Sequence, residues 1–74
     1  MANTEKIIRK KYDVPIWHKT NLTVEEAAAY SGIGSQKLRE MSDSEYCTFV
    51  LWNGAKRLIK REKLDKYLAE MYSI

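Results

Sequence analysis

The first stretch of the chain whose hydrophobic residues recur at helical spacing begins just after Leu22. The residues on its inward face are Val24, Ala27, Ala28 and Ser31. Thr23 and Glu26 can exchange hydrogen bonds between side chain and backbone in a capping box, which predicts that the helix begins there. Glycines at positions 32 and 34 then end the helix in a tight turn.

A second, shorter helix is predicted from residue 36 to about residue 43, with Ser35 as its N-cap. Leu38 and Met41 point inward at helical spacing. The side chains expected on the outward face or its flank are Gln36, Lys37, Arg39, Glu40 and Asp43. Two short helices joined by a glycine-containing turn are typical of a helix-turn-helix, whose second helix fits the major groove of B-form DNA. An ordinary helical hairpin is the alternative.

The pattern becomes that of a strand beyond residue 46. Residues 47–52 are rich in β-branched and aromatic side chains, and Asn53-Gly54 favours a two-residue type I′ turn, so a β-hairpin is predicted. In that register Val50 faces Arg57. Neither face of the hairpin is uniformly apolar, so the pattern leaves open which one is buried, and a longer loop would exchange the two faces. The tip is polar and basic in either case.

The two ends of the chain differ in pattern. A third helix is predicted from residue 61 to about residue 72, and its inward residues are Leu64, Tyr67, Leu68 and Met71. Near the other end, Val14-Pro15-Ile16-Trp17 predicts a short edge strand packed on the core, because proline favours extended backbone before it. Residues 1–13 are basic and lack a sustained apolar period, so we expect a flexible basic arm ahead of a folded domain at residues 14–74. An inert tail is the alternative.

Composition and charge limit what such a chain can be. Its 74 residues suffice for one small domain, and the hydrophobic content of 45% is typical of a folded core. The net charge is +3, and positive charge is concentrated in residues 1–19 and 56–66. Blocks of basic side chains suit a polyanion, because neutralising phosphates releases counterions, although a solvated surface would have the same pattern.

The sequence offers little for catalysis. Cys47 is the single cysteine and His18 the single histidine, and neither belongs to a spacing that would hold a metal ion or activate a nucleophile. No apolar run approaches the length of about 20 residues needed to cross a bilayer. We therefore expect a cytoplasmic, non-enzymatic protein with no cofactor, no metal and no membrane association.

The order of strand, helix-turn-helix, hairpin and helix indicates a winged-helix DNA-binding domain. This is an α+β fold of three helices, with a short N-terminal strand and a β-hairpin wing in the C-terminal half. Within it, residues 14–74 resemble the excisionases of bacterial conjugative transposons, which are recombination directionality factors. The motifs that carry the resemblance are Val14-Pro15-Ile16-Trp17, Leu22-Thr23-Val24-Glu25-Glu26-Ala27-Ala28, Gly32-Ile33-Gly34, Lys37-Leu38-Arg39, Asn53-Gly54 and Leu58-Ile59-Lys60-Arg61-Glu62-Lys63-Leu64.

The resemblance implies a small accessory factor that binds double-stranded DNA at repeated sites near the ends of a mobile element. Such a factor bends the DNA and helps a tyrosine-recombinase integrase to excise the element, and it breaks no bonds itself. We expect a monomer in solution that assembles cooperatively along DNA, in association with the bacterial nucleoid.

The resemblance also implies which residues meet DNA. The second helix would enter the major groove, and the hairpin tip would lie along phosphate or in the adjacent minor groove. The recognition-helix residues are Ser35, Gln36, Lys37, Arg39 and Glu40; the wing residues are Asn53, Gly54, Ala55, Lys56 and Arg57; and Thr23 and Lys60 are expected at the DNA backbone. Glu40 departs from the neutral or basic side chain expected in a groove, so it could read a cytosine amino group, pair with Lys37 or lie off the DNA.

Two other functions fit the same pattern. A small winged-helix transcriptional regulator would use the same surface without bending its site. A protein-interaction adaptor would dock on a partner through the C-terminal helix and the arm, and its hairpin would not touch DNA.

Overall fold

The computed structural model describes residues 14–74, so the basic arm expected at residues 1–13 lies outside the described residues. The described part contains three α-helices and three strands, preceded by a short 3₁₀ helix. The helices are α1 (Val24–Ser31), α2 (Ser35–Ser42) and α3 (Arg61–Ala69), and the strands are β1 (Asn21–Leu22), β2 (Val50–Asn53) and β3 (Lys56–Lys60). This arrangement, with a β2–β3 hairpin as the wing, confirms the predicted α+β fold.

The predicted edge strand at residues 14–17 is wrong. Ile16–His18 forms a 3₁₀ helix, in which the backbone N–H of His18 donates to the carbonyl of Pro15 at 2.9 Å. Pro15 has φ −57° and ψ 148°, a conformation that suits the residue before a helical turn as well as a strand. Ile16 packs against the core, whereas Trp17 is 62% exposed. The N-terminal strand is instead β1, which pairs antiparallel with β3.

The capping box at the start of α1 is present as predicted. Oγ1 of Thr23 accepts the backbone N–H of Glu26 at 3.0 Å, and Oε1 of Glu26 accepts the backbone N–H of Thr23 at 3.0 Å. At the other end Gly32 has φ 81°, a left-handed conformation that glycine adopts without the steric cost of a Cβ atom. The chain therefore turns sharply out of α1 toward α2.

The second helix, α2, begins one residue earlier than predicted. Its N-cap is Gly34, with extended backbone, and no side chain makes a capping hydrogen bond there. The N-cap role of Ser35 is therefore wrong, because Gly34 already supplies the extended residue that precedes a helix and Ser35 is the first helical residue. Leu38 is buried and Met41 packs against the core, as predicted. Ser42 is also buried, at 3% exposure.

The turn at the tip of the wing lies one residue later in the chain than predicted. Asn53 pairs with Lys56, so the two turn residues are Gly54 and Ala55. Gly54 has φ 63°, and no non-glycine residue in the described chain has positive φ. The predicted type I′ turn is wrong, because it needs positive φ at both turn residues, whereas glycine followed by a residue of negative φ is the pattern of type II′.

The burial of Ile59 shows which face of the sheet meets the helices. The strands form one antiparallel sheet of order β1-β3-β2, in which Val50 lies opposite Ile59 and Trp52 lies opposite Arg57. The predicted pairing of Val50 with Arg57 is therefore wrong. Ile59 is fully buried, so Arg57, two residues away on the same strand, lies on the face toward the helices.

The core lies between this sheet face and the helices. Its buried side chains are Leu22, Val24, Ala27, Leu38, Phe49, Ile59 and Leu64. Polar contacts tie α3 to the rest of the domain. The Tyr30 hydroxyl donates to the Asp65 carboxylate at 2.8 Å, and Nε of Arg61 donates to the carbonyl of Lys19 at 2.7 Å. The helix ends at Ala69, before its predicted end at residue 72, and Met71 is exposed.

Among residues 14–74, none of the helices has the length and hydropathy to cross a membrane. The same stretch contains no group of three or more His, Cys, Asp or Glu side chains placed to hold a metal ion.

Candidate nucleic-acid interface

The second helix, α2, presents a polar face to solvent. Leu38 anchors the helix in the core, and the predicted recognition side chains emerge on the other side. The exposed ones are Gln36, Lys37, Arg39 and Glu40, whereas Ser35 is half-buried at the start of the helix. The structure thus places every predicted recognition-helix residue except Ser35 among the exposed residues.

A shallow groove of about 350 Å³ runs between α1, α2 and the wing. Its lining residues are Thr23, Val24, Glu25, Arg39, Trp52, Ala55, Lys56 and Arg57. This wing–helix groove joins predicted residues from three separate parts of the sequence, namely Thr23 at the N-cap of α1, Arg39 of α2 and residues 55–57 of the wing. The fold therefore brings a predicted helix contact and the predicted wing contacts to one side of the molecule.

Lys60 lies apart from the wing–helix groove. It follows buried Ile59 along β3, so it projects from the opposite face of the strand, away from the core. There it lines a separate concavity of about 650 Å³ together with Lys63 and Lys66. The predicted backbone contact at Lys60 is therefore not assembled with the recognition helix and the wing.

Arg39 is held by an acidic neighbour. Its Nη2 lies 2.8 Å from Oε2 of Glu25 in the first turn of α1, and both side chains are exposed. An exposed ion pair of this kind contributes about 0–1 kcal/mol to stability, because solvent screens the attraction. Arg39 can therefore exchange Glu25 for another anion at little cost.

The side chain of Arg57 turns from the wing toward the end of α2. Its Nη1 donates to the carbonyl of Arg39 at 3.1 Å and to Oγ of Ser42 at 2.9 Å, and its Nη2 lies 3.0 Å from Oδ1 of Asp43. The guanidinium carbon is 4.8 Å from the centre of the Trp52 ring. These contacts leave the Arg57 side chain 19% exposed.

The wing tip itself is open to solvent. Asn53, Gly54, Ala55 and Lys56 are all exposed. Within residues 14–74, neither Lys56 nor Lys37 forms an ion pair. Two exposed lysines, one on the wing and one on α2, are therefore without an ion-pair partner in the described residues.

The start of α1 carries a stabilised carboxylate. Nζ of Lys19 donates to Oε2 of Glu26 at 2.6 Å, and this hydrogen bond, followed by that from the Thr23 backbone, holds the pKa of Glu26 below its ordinary value. The charged carboxylate of Glu26 accepts the backbone N–H of Thr23 and so stabilises the capping box. The Thr23 hydroxyl accepts the Glu26 N–H there, and its own proton stays available to an acceptor in the wing–helix groove.

Three residues that contact the predicted interface residues were not predicted from the sequence. The contact of Glu25 with Arg39 was not predicted, because the two residues are 14 positions apart and no sequence pattern indicates such a contact. Trp52 lies beside the turn, and no sequence pattern indicates that its ring would lie against the Arg57 guanidinium. Ser42 had a usable signal, since it follows buried Leu38 by four residues and so falls on the inward face of α2.

Comparison with known proteins gives consistent matches. A family model described as the excisionase from transposon Tn916 matches residues 1–74. A curated relative, the excisionase from transposon Tn916 of Streptococcus agalactiae serotype V (strain ATCC BAA-611 / 2603 V/R), is 35% identical over 66 residues. That alignment covers 88% of this chain and 98% of the relative. No solved structure matches the chain.

Proposed function

The chain belongs to the family of the excisionase from transposon Tn916, and from this membership we propose that it is a sequence-specific, DNA-bending accessory factor. It promotes excision of a mobile element by a tyrosine-recombinase integrase. The observation that carries the proposal is the wing–helix groove, because Arg39 of α2 and Lys56 of the wing line one concave surface. Two separate elements can therefore meet one DNA duplex from the same side.

The recognition element is α2, which enters the major groove. The width of that groove admits an α-helix, and its base edges carry a distinct pattern of donors and acceptors for each base pair. Gln36 suits bidentate contact with adenine and Arg39 with guanine, each such contact discriminating against a wrong base by about 1–3 kcal/mol. Lys37, on the flank of the helix, is placed for a phosphate.

The wing follows the DNA backbone beside α2. Its tip is exposed, and its turn contains Gly54, whose lack of a side chain lets the backbone approach a phosphate closely. Lys56 supplies a positive charge that has no ion-pair partner within residues 14–74. Thr23, in the same groove, offers a hydroxyl proton at the start of α1, where the helix dipole favours an anion.

Bending requires contacts on more than one element. Smooth bending of 20–30 base pairs by 40–90° costs about 1–6 kcal/mol, which contacts that form only on the bent duplex must offset. A helix in one groove and a wing beside it supply such contacts. We therefore propose that monomers bind cooperatively to repeated sites, and that the protein is associated with the nucleoid in the cell.

The test uses DNA from the ends of the mobile element that carries this chain. DNase I footprinting should show tandem protected sites, and gel shifts on circularly permuted fragments should show mobility that depends on the position of the site. With the cognate integrase, addition of the protein should raise the yield of excised circles. Binding without sequence preference at moderate salt would contradict the proposal.

The same experiment separates the alternative functions. A transcriptional regulator that does not bend its site would give protected sites but mobility independent of their position. A protein-interaction adaptor would give no footprint at all.

A further inference from the structure

We propose that Arg57 is a positioning residue that clamps the wing to the last turn of α2. The family resemblance implies a DNA contact at this position, whereas the side-chain geometry suits a different role. The inference rests on the proposed function, because a clamp matters most where two elements must grip one duplex. Arg57 thus keeps the wing and the recognition helix at a fixed distance from each other.

The hydrogen bonds of Arg57 are directed at the end of α2. Both protons of Nη1 are used, one by the carbonyl of Arg39 and one by Oγ of Ser42, at 3.1 and 2.9 Å. Nη2 pairs with Asp43 at 3.0 Å. The carbonyl of Arg39 also accepts the backbone N–H of Asp43 at 3.0 Å, so Arg57 adds a further donor to it. The last carbonyls of a helix carry the negative end of its dipole, which favours a cation there. The wing thus supplies a positive charge to the end of the recognition helix.

Trp52 holds the same guanidinium from the other side. It lies directly opposite Arg57 in the β2–β3 ladder, and its ring centre is 4.8 Å from the guanidinium carbon. A planar guanidinium stacks well on an aromatic face, which restricts the rotamers of both side chains. Arg57 is therefore fixed between its own hairpin and the helix.

Ser42 completes the clamp without any access to DNA. Its side chain is 3% exposed, and its hydroxyl donates to the carbonyl of Arg39 while accepting from Arg57. Removal of this hydroxyl takes one acceptor from Arg57 and changes no charge. Ser42 therefore reports on the clamp separately from any phosphate contact.

A phosphate contact and a clamp make different demands on residue 57. A lysine can replace an arginine as a point charge near a phosphate, but it cannot reproduce the planar fork that reaches a carbonyl, a hydroxyl and a carboxylate together. The phosphate interpretation thus predicts that Arg57→Lys binds DNA normally. If Arg57 is a clamp, Arg57→Lys should bind DNA more weakly than the wild-type protein.

The test measures DNA affinity against salt concentration for the full chain and its variants. Each neutralised phosphate contributes about −0.9 to the slope of log K against log salt. Arg57→Lys and Ser42→Ala should each weaken binding about tenfold, which corresponds to 1.4 kcal/mol, with the slope unchanged. The double variant should be no weaker than either single variant. Lys56→Ala, the exposed neighbour, should instead reduce the magnitude of the slope by about one unit.

A DNA-free measurement completes the test. In the free protein, Ser42→Ala and Arg57→Lys should lower the ¹⁵N amide order parameters at Gly54 and Lys56, because the wing tip gains motion. Melting curves confirm that each variant is folded at the assay temperature. Unchanged order parameters, normal DNA binding by Arg57→Lys, or additive losses in the double variant would overturn the clamp. Failure of the wild-type protein to bind element DNA would instead overturn the proposed function.

Discussion

Arg39 in α2 and Glu25 in the first turn of α1 form an ion pair with 2.8 Å between Nη2 and Oε2. The pair lies in the wing–helix groove, where we propose that DNA binds. Glu25 therefore has two effects on a bound duplex: it occupies the guanidinium of Arg39, and it places a negative charge close to phosphate. Neither effect stabilises the complex.

Replacing Glu25 with glutamine should strengthen DNA binding. Arg39 loses a competing anion and the groove loses a negative charge, which together should raise affinity about fivefold, or about 1 kcal/mol. Fluorescence anisotropy at fixed salt measures this change. The free energy of unfolding should move by less than about 1 kcal/mol, because the ion pair is exposed. Glu70→Gln, the same charge change at the end of α3, is the control and should leave affinity unchanged; weaker binding by Glu25→Gln would contradict the account.

Glu26 should make stability depend on pH in the acid range. Its pKa is lowered in the folded protein, first by the hydrogen bond from Lys19, so the unfolded chain binds more protons as pH falls. Its contribution to the free energy of unfolding is complete above the ordinary carboxyl pKa and is lost as pH falls through the lowered pKa.

A glutamine at position 26 tests this linkage, because it can keep the capping hydrogen bonds but cannot titrate. Urea unfolding of wild type and Glu26→Gln should be compared from pH 7 down to pH 3. The stability advantage of wild type should shrink as the solution becomes acid. An advantage that stays constant with pH would show that the charge of Glu26 is not what stabilises this turn.

The wing turn should not tolerate a side chain at its first position. Gly54 has φ 63°, where a Cβ atom costs about 1–2 kcal/mol, and a β-branched residue fits this conformation worst. Gly54→Val should therefore destabilise the hairpin and weaken DNA binding, as measured by urea unfolding and by gel shift. Ala55→Val adds the same kind of side chain at the next, exposed turn residue and should be tolerated. Equal effects of the two substitutions would contradict the type II′ turn.

Local signals predicted the fold well. The capping box of Thr23 and Glu26 and the helical spacing around Leu64 are decided by neighbouring residues, and both elements begin where the sequence places them. The strand predicted at residues 14–17 was wrong because the extended backbone of Pro15 occurs both in strands and before a 3₁₀ helix. The predicted hairpin register was displaced by one residue because Asn53-Gly54 and Gly54-Ala55 both offer a glycine to the turn, and the chain uses the second pair.

The candidate site was predictable only in part. Helical spacing is enough to place Gln36, Lys37 and Arg39 on the exposed side of α2. The direction of Arg57 was not predictable, because it depends on which hairpin face is buried and on the buried hydroxyl of Ser42, which are both products of tertiary packing. The contacts that Arg57 makes with the end of α2 therefore had no signal in the sequence.

The central claim is that α2 reads DNA, and the most direct test combines Lys37→Ala with Arg39→Ala. Both side chains are exposed, so the melting temperature should stay nearly unchanged. The plot of log K against log salt should become shallower by about one to two units, and preference for the element's site should fall. Lys63→Ala with Lys66→Ala on α3 removes the same charge elsewhere and serves as control. Unaltered affinity, slope and preference in the Lys37 and Arg39 double variant would contradict the claim.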